Sequence, residues 1–287
     1  MKKAIQHGTI NSRVGEKMTG FLVVNHFLQG KKYDELYNHL KNTAAGLGVD
    51  LQIKTNQQMI FEESSPDFVL FWDKDINLAA MLENRGIPVF NSARAIALCD
   101  DKAKTYTALL NKVPQPETYV APLSFFSCDY SDFVDTAAER LGYPLVYKEC
   151  YGSFGEQVFL CTGRDEIFAH INGKPFLLQK YIECNSTDVR IEVVNGKCVG
   201  AMKRQNPNDF RSNITNGGRG TAYTPTQREQ ELAVKASNAL GLDFCGVDIL
   251  NGSLVCEVNS NAHIINLKNV TGVDTAPVII ESVLSKI

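Results

Sequence analysis

The stretch Gly246-Val247-Asp248-Ile249-Leu250-Asn251-Gly252-Ser253-Leu254-Val255-Cys256-Glu257-Val258-Asn259 reads as a β-hairpin that carries an unusual load of acidic and amide groups. Asn251-Gly252 separates two apolar runs, and this dipeptide is the strongest short-range hairpin signal because a type I′ turn needs both central residues at φ > 0. A two-residue loop sets Leu250 against Ser253, Ile249 against Leu254 and Asp248 against Val255. Strand side chains alternate between faces, so Asp248, Glu257 and Asn259 share one side while Val247, Ile249, Cys256 and Val258 point into a core. Asp248 and Glu257 are then diagonal neighbours, roughly 7–8 Å apart. Two carboxylates and an amide oxygen suit a hard cation, with Mg2+ the natural choice and Mn2+ an alternative. A solvated hairpin face would show the same residues, and a slip of register would separate them.

Working outward, 287 residues with 44% hydrophobic content can build more than one core, so two or three domains are expected. A net charge of −3 gives no general basic field, so neither nucleic acid nor a membrane surface is expected as a partner. Eight cysteines are scattered without a CxxC, and no signal peptide or long apolar run precedes them. Reduced thiols in the cytoplasm follow from that pattern.

Residues 1–18 are polar, show no defensible period and are read as an extension. Phe21 to Asn25, Val49 to Ile53, Phe68 to Phe71 and Ile87 to Phe90 read as strands. Between them, Tyr33 to Ala45 places Leu36, Tyr37, Leu40 and Ala44 on one helical stripe, and Asn77 caps a helix with Leu78, Met81 and Leu82 that stops at Gly86. Strands alternating with helices argue for a parallel sheet. No GxGxxG follows the first strand, so nothing there marks a dinucleotide site.

A second section begins near Asn91-Ser92. Asp100-Asp101 precede a helix that starts at Lys102 and ends before Pro114, and Ser131 caps another, with Phe133, Ala137 and Leu141 inward and Gly142 as its stop. Tyr143 to Cys161 reads as strand, glycine turn, strand. Gly152 and Gly155 let backbone N–H groups approach an anion, Ser153 adds a hydroxyl and Lys148 a positive charge. A plain Gly-Ser hairpin fits the same letters.

The last section opens with the apolar strand Lys174 to Glu183. Val189, Ile191 and Val193 then alternate with Asp188, Arg190 and Glu192, so one face of that strand is charged. Basic groups return at Lys203-Arg204-Gln205 and Phe210-Arg211-Ser212-Asn213, before Gly217-Gly218. Such arginines suit planar recognition of phosphate or carboxylate, or form a solvated loop. Thr226-Gln-Arg-Glu229 is a capping box that opens a helix running to Leu240, with Gly241 as its stop.

Taken in order, Asp101-Lys102, Lys148, Gly152-Ser-Phe-Gly155, Gln179-Lys-Tyr-Ile182, Asp188-Val-Arg190, Phe210-Arg-Ser-Asn213, Gly217-Gly218, Gly246-Val-Asp248-Ile-Leu250 and Glu257-Val-Asn259-Ser260 resemble the RimK-like branch of the ATP-grasp superfamily. The match spans about residues 90 to 275. The resemblance implies an α/β chain in which an ATP-grasp fold follows a small parallel-sheet α/β domain. The divisions expected are an N-terminal pre-ATP-grasp domain over 1–95, a central subdomain with a phosphate-covering loop over 96–178, and a C-terminal subdomain with the metal site over 179–287.

The resemblance further implies an ATP-dependent carboxylate-amine ligase. ATP phosphorylates a carboxylate, and an amine displaces phosphate from the acyl-phosphate to give an amide, ADP and Pi. Lys102 and Lys148 match the lysines that contact ATP phosphates, and Gly152, Ser153 and Gly155 the mobile loop above them. Gln179, Lys180, Tyr181 and Ile182 resemble the adenine hinge, and Asp188 the ribose contact. Arg211 and Asn213 match groups near the phosphates; Arg190 and Arg204 are candidates for holding the acceptor carboxylate. Asp248, Glu257 and Asn259 match the Mg2+ ligands. The partners implied are ATP, an amino acid such as glutamate, a carboxylate-bearing peptide, protein or small molecule, and further copies of the chain in a homo-oligomer. A peptide ligase, a cross-linking enzyme and a non-catalytic ATP-binding module are the alternatives.

One departure stands out. Where the glutamate ligases of this family resume with a Pro-Gly-containing segment, this chain has Asn261-Ala-His263-Ile-Ile-Asn266, so the choice of acceptor is expected to differ. His263 is either a substrate contact or an ordinary loop histidine.

Overall fold

A computed structural model describes residues 17–28, 30–126, 128–153, 155–261 and 263–287. Most of the extension read over residues 1–18 and Phe154 of the glycine turn lie outside the described residues. Among the described residues no helix is long and apolar enough to cross a membrane.

The first sheet comes from β1 (Thr19–Val24), β2 (Asp50–Thr55), β3 (Phe68–Trp72) and β4 (Val89–Phe90), in the order β2-β1-β3-β4 with every neighbour parallel. All five residues of β3 are buried, as expected of a strand covered on both faces. Between the strands run α1 (Lys31–Gly46), α2 (Asn56–Met59) and α3 (Ile76–Asn84), and α4 (Ala93–Cys99) and α5 (Lys102–Leu109) follow. Leu36, Tyr37, Leu40 and Ala44 are the buried stripe of α1. The cap of α3 is Asp75, not Asn77: its Oδ1 accepts the Leu78 N–H at 3.0 Å, so Asn77 is already inside the helix and Met81 faces solvent. Helix α4, which the sequence pattern did not reveal, is capped by Ser92.

The second sheet holds β5 (Thr118–Val120), β6 (Leu145–Glu149), β7 (Val158–Cys161) and β8 (Phe176–Lys180) in the antiparallel order β5-β8-β6-β7. Helices α6 (Ser131–Leu141) and α7 (Arg164–His170) cover it, and Tyr147 stacks on Phe176 in their core at a centroid distance of 5.0 Å. Ser131 is the first residue of α6, not its cap; Tyr130 holds the cap position, and the Ser131 hydroxyl donates to Asp129 Oδ1 at 2.6 Å.

The third sheet is antiparallel, with β9 (Thr187–Val194), β10 (Lys197–Gln205), β11 (Arg219–Ala222), β12 (Phe244–Leu250) and β13 (Leu254–Asn259) in the order β11-β10-β9-β12-β13. Helix α8 (Gln227–Leu240) packs on its apolar face against Ile191, Val247 and Val258. Both halves of the Thr226–Glu229 capping box are formed, and Gly241 closes α8 at φ 72°. Helices α9 (Ile264–Thr271) and α10 (Ala276–Leu284) return to the first sheet, where Ile279, Ile280 and Val283 join Leu36 and Leu40 in one core.

The hairpin departs from the expected register at two places. Asn251 and Gly252 have φ of 47° and 62°, as a type I′ turn requires, but the ladder resumes at Leu250–Leu254, leaving a three-residue loop. A β-bulge then inserts Cys256, so Asp248 faces Glu257 directly instead of diagonally. Val255 consequently enters the core, while Cys256 turns toward Lys148, the reverse of the expected assignment.

First and third sheets are joined by a ring stack and by hydrogen bonds. Trp72 stacks on Phe244 at 5.1 Å and 11°. Buried Asn91 donates to the carbonyls of Phe244 and Ser260 and accepts the N–H groups of Asp243 and Phe244. The carboxyl ends of β1 and β3, where open parallel sheets place ligands, therefore face the charged side of the third sheet.

Candidate active site

A cavity of about 560 Å³ lies among the three sheets, and every site residue expected from the sequence lines it: Lys102, Lys148, Gly152, Ser153, Gly155, Gln179 to Ile182, Asp188, Arg190, Arg204, Arg211, Asn213, Asp248, Glu257 and Asn259. Residues separated by more than a hundred positions thus converge.

The floor is a ladder of alternating charges on β9, β10 and β12. Arg190 engages both oxygens of Asp248, through Nε to Oδ1 and through Nη2 to Oδ2 at 2.8 Å. Arg204 grips Asp188 in the same forked manner and reaches Asp248 Oδ2 from Nη2 at 2.9 Å. Burial opposes ionisation of Asp248, yet Arg190 and Arg204 outweigh it and hold its pKa below the usual carboxylate range. Burial likewise opposes the Arg204 charge, and Asp248 and Asp188 more than restore it. Removing one partner of such a pair costs about 3–5 kcal/mol because a charge is left buried. In this arrangement both guanidiniums are committed to aspartates rather than presented to solvent.

One wall is cationic. Asp101 caps α5 by accepting the Ala103 and Lys104 N–H groups, which fixes Lys102 at the helix start. Burial lowers the Lys102 pKa, Glu257 pulls it back up, and Lys148 and Lys74 lower it further. Lys148, in β6, is buried with its Nζ 3.7 Å from Cys256 Sγ.

The glycine turn closes over this wall. A Cβ on Gly152 would sit 2.2 Å from Gln157 Oε1, which accepts the Ser153 N–H at 3.2 Å. Gly155 has φ 75°, and a Cβ there would meet Asn216 Nδ2 at 3.2 Å and Arg211 Cδ at 3.3 Å. Arg211 donates from Nη1 to the Gly155 carbonyl and is itself forked onto Asp209, Nε to Oδ1 at 3.0 Å and Nη2 to Oδ2 at 2.6 Å. Turn, Arg211 and Asn213 are therefore one packed unit.

At the hinge, Gln179 turns its amide inward to Thr118 Oγ1 at 2.9 Å, and the Lys180 N–H donates to Glu117 O at 2.8 Å. The ladder ends there, so Tyr181 and Ile182 follow it without strand partners, with Phe210 set edge-on to Tyr181 at 6.5 Å.

A divalent cation fits the hairpin end of the cavity. Glu257 lies within electrostatic reach of Lys102 and Lys74, with no ion pair to either among the described residues. Asn259 lines the cavity beside Glu257, where its amide oxygen is the atom that would ligate, and Asp248 supplies the facing carboxylate. Glu257 and Asn259 are free to ligate; Asp248 would do so while shared with its arginines.

Sequence reasoning missed Asp209 and Gln157, which hold Arg211 and the glycine turn. It also missed Asn25, Asp73 and Lys74, just past strands of the first sheet, and Lys32 of α1, which line the same cavity. Asn25 and Asp73 each follow directly on a parallel strand, the one signal that would have found them. His263, at the start of α9, is in the cavity wall with both ring nitrogens lacking a hydrogen-bond partner.

Residues 99–283 match the RimK-like ATP-grasp domain. An uncharacterized protein of Mycoplasma pneumoniae is 36% identical over 244 residues, covering 78% of this chain and 85% of that protein. Beta-citrylglutamate synthase B of Danio rerio is 32% identical over 263 residues; the match covers 88% of this chain and 64% of that enzyme's length. D-alanine–D-alanine ligase from Bacillus anthracis complexed with ATP superposes with a TM-score of 0.74 over 94% of this chain and 98% of its own, at 16% identity, a likeness of fold alone. The fold is thus an ATP-grasp fold preceded by a parallel α/β sheet. The chain belongs to the RimK-like ATP-grasp family and is, with it, an ATP-dependent ligase that forms carbon–nitrogen bonds.

Proposed function

We propose that the chain joins an amine to a carboxylate through an acyl-phosphate, releasing ADP and Pi. The amine belongs to glutamate or another amino acid, and the carboxylate to a peptide, protein or small molecule. The observation that carries this reading is the meeting, in one cavity, of Lys102, Lys148 and the Arg211-bound glycine turn with the Asp248–Glu257 pair. The beta-citrylglutamate synthase relative supports glutamate as the amine.

In this reading parts 1–95, 96–178 and 179–287 each supply a wall. Tyr181 and Ile182 hold adenine by backbone groups, Asp188 meets the ribose, and Lys102, Lys148 and Arg211 neutralise the phosphates. Phosphoryl transfer depends on positioning and on stabilising charge more than on covalent help from the protein, so these cations account for most of the catalysis. Mg2+ held by Glu257, Asn259 and Asp248 would add charge neutralisation at the phosphates. The glycine turn keeps water from the acyl-phosphate, which hydrolysis would otherwise waste.

Incubation with Mg-ATP, pooled amino acids and pooled carboxylates, followed by nucleotide chromatography and mass spectrometry, tests the reading. ADP together with a new amide supports it. AMP and pyrophosphate would overturn the acyl-phosphate route.

A further inference from the structure

Beyond the charged floor, the cavity runs to the carboxyl ends of β1 and β3, where Asn25, Asp73, Lys74 and Asn261 line it. In the order β2-β1-β3-β4 the chain leaves β1 toward one edge of the sheet and returns as β3 on its other side, which makes this end the crevice where open α/β sheets take their ligands. Asp73, the first residue past β3, is 4% exposed. Its Oδ1 accepts the Asn25 amide at 2.9 Å and the Lys74 N–H at 2.8 Å, whereas its Oδ2 is buried with no hydrogen-bond partner. Both donors are neutral, and the Lys74 ammonium is 2.9 Å from Asp100 Oδ1 instead. A carboxylate withdrawn from water in this way gains more from a positive partner than from another neutral one.

A second acceptor is held beside the first. Asp100, which pairs with Lys74 through Oδ1, accepts the Ser260 hydroxyl on Oδ2 at 2.9 Å, so the residue after Asp73 is tied to the residue before Asn261. Asn91 holds the carbonyls of Ser260 and of Phe244, and Trp72 stacks on the Phe244 ring. Both segments are thus fixed within the protein itself. Asn261 Oδ1, like Asp73 Oδ2, is buried and unpartnered. Two waiting acceptors, one of them a carboxylate, call for a ligand with several donors and a positive charge. A primary ammonium has three N–H donors and meets both demands, whereas a hydroxyl brings one donor and no charge. Lys74 adds the complement. Its side chain is 41% exposed at the same end of the cavity, and Asp100 takes one of its three donors, which leaves the others for a carboxylate. Ammonium acceptors beside a carboxylate donor describe an amino acid.

We propose that Asp73 Oδ2 and Asn261 Oδ1 form a subsite for the primary ammonium of an amino-acid substrate, with Lys74 on its carboxylate. This rests on the ligase reading above, in which the phosphates lie against Lys102, Lys148 and Arg211 and leave the first-sheet end of the cavity to the amino acid. Burial raises the Asp73 pKa although the Asn25 amide opposes it, and an ammonium at Oδ2 draws it back down. The ammonium belongs either to the amine that attacks or to the acid that is activated.

Isothermal titration of the twenty standard L-amino acids and their Nα-acetyl derivatives, with Mg2+ and a non-hydrolysable ATP analogue present, tests the subsite without requiring turnover. At least one free amino acid should bind saturably, and its acetylated form at least tenfold more weakly. Asp73→Asn keeps an acceptor for Asn25 and Lys74 but turns an N–H toward the ligand. It should weaken that amino acid at least tenfold and leave the nucleotide affinity unchanged, and Asn261→Ala should weaken it about threefold. No saturable amino-acid binding, equal binding of free and acetylated forms, or variants without effect would overturn the subsite. If Asp73→Asn fails to fold, Asn261→Ala and the wild-type comparison decide. Fragmentation of the product separates the two sources, since an acylated nitrogen marks the attacking amine and a free one the activated acid. Amino-acid binding that is lost in Asp73→Asn, without ADP formation in the product assay, would count against the ligase reading and leave the subsite standing. Amide formation with an unchanged KM for the amino acid in Asp73→Asn would do the reverse.

Discussion

Asp248 stands directly across the ladder from Glu257, because Cys256 is an extra residue on the β13 side of the hairpin. The two carboxylates nevertheless have different surroundings. Asp248 is forked onto Arg190 and touched by Arg204, whereas Glu257 faces the cavity without an ion pair among the described residues. Both Glu257→Gln and Asp248→Asn should reduce kcat at least 100-fold by weakening cation binding. Only Asp248→Asn should also lower the melting temperature, on the order of 10 °C, since it leaves two buried guanidiniums short of a counter-charge. Thermal melts beside initial rates separate the two; equal melting of the variants would show that the arginine pairs do not depend on Asp248.

Asp209 is a positioning residue for Arg211, holding the guanidinium that donates to the Gly155 carbonyl. Asp209→Asn should lower kcat about tenfold and speed proteolytic cleavage in the glycine turn, with Asp209→Glu restoring part of the loss. Unchanged cleavage and an unchanged rate would remove Asp209 from the closing unit.

Gly155→Ala addresses the same closure through the backbone. At φ 75°, with 3.2 Å to Asn216 and 3.3 Å to Arg211, an added methyl strains the turn and pushes it off its seat. Turnover should fall about tenfold with little change in melting temperature, because the turn contributes little to any core. A wild-type rate would mean that the turn adopts a different seat during catalysis.

Glu192 gives the pH dependence. Burial lifts its carboxyl to about 7, against the pull of Arg190, from an ordinary 4.5, and its Oε1 has no partner. Because the folded form binds the proton more tightly, this residue's contribution is fully present below about pH 4.5 and is lost as pH rises through about 7. Glu192→Gln should therefore melt like wild type at low pH and gain on the order of 3 kcal/mol over it at pH 8. A stability difference that does not change with pH would contradict the raised value.

Much of this was legible in the sequence, for reasons that differ by element. The α1 stripe and the Thr226–Glu229 box are local patterns, and local patterns survive folding unchanged. The hairpin face was reached through two offsetting shifts. The loop is one residue longer than Asn-Gly alone suggests, which reverses the parity of β13, and the Cys256 bulge reverses it again before Glu257. Asp248, Glu257 and Asn259 therefore share a face as expected, while Val255 and Cys256 exchange sides. A bulge leaves no mark in composition. Nor does spacing reveal that Arg190 and Arg204 are consumed by Asp248 and Asp188, since those pairs run between strands. Helix α9 was hidden because its cap position is His263, which makes no side-chain capping bond.

The acyl-phosphate is tested most directly by isotope transfer. The acceptor identified in the product assay is labelled with 18O in its reacting carboxylate and supplied with Mg-ATP and the amine. Attack of the carboxylate on the γ-phosphorus and later loss of phosphate to the amine carry one carboxylate oxygen into Pi. Phosphate bearing one 18O per turnover, formed with ADP, is the expected result; unlabelled phosphate, or label recovered in AMP, would contradict it.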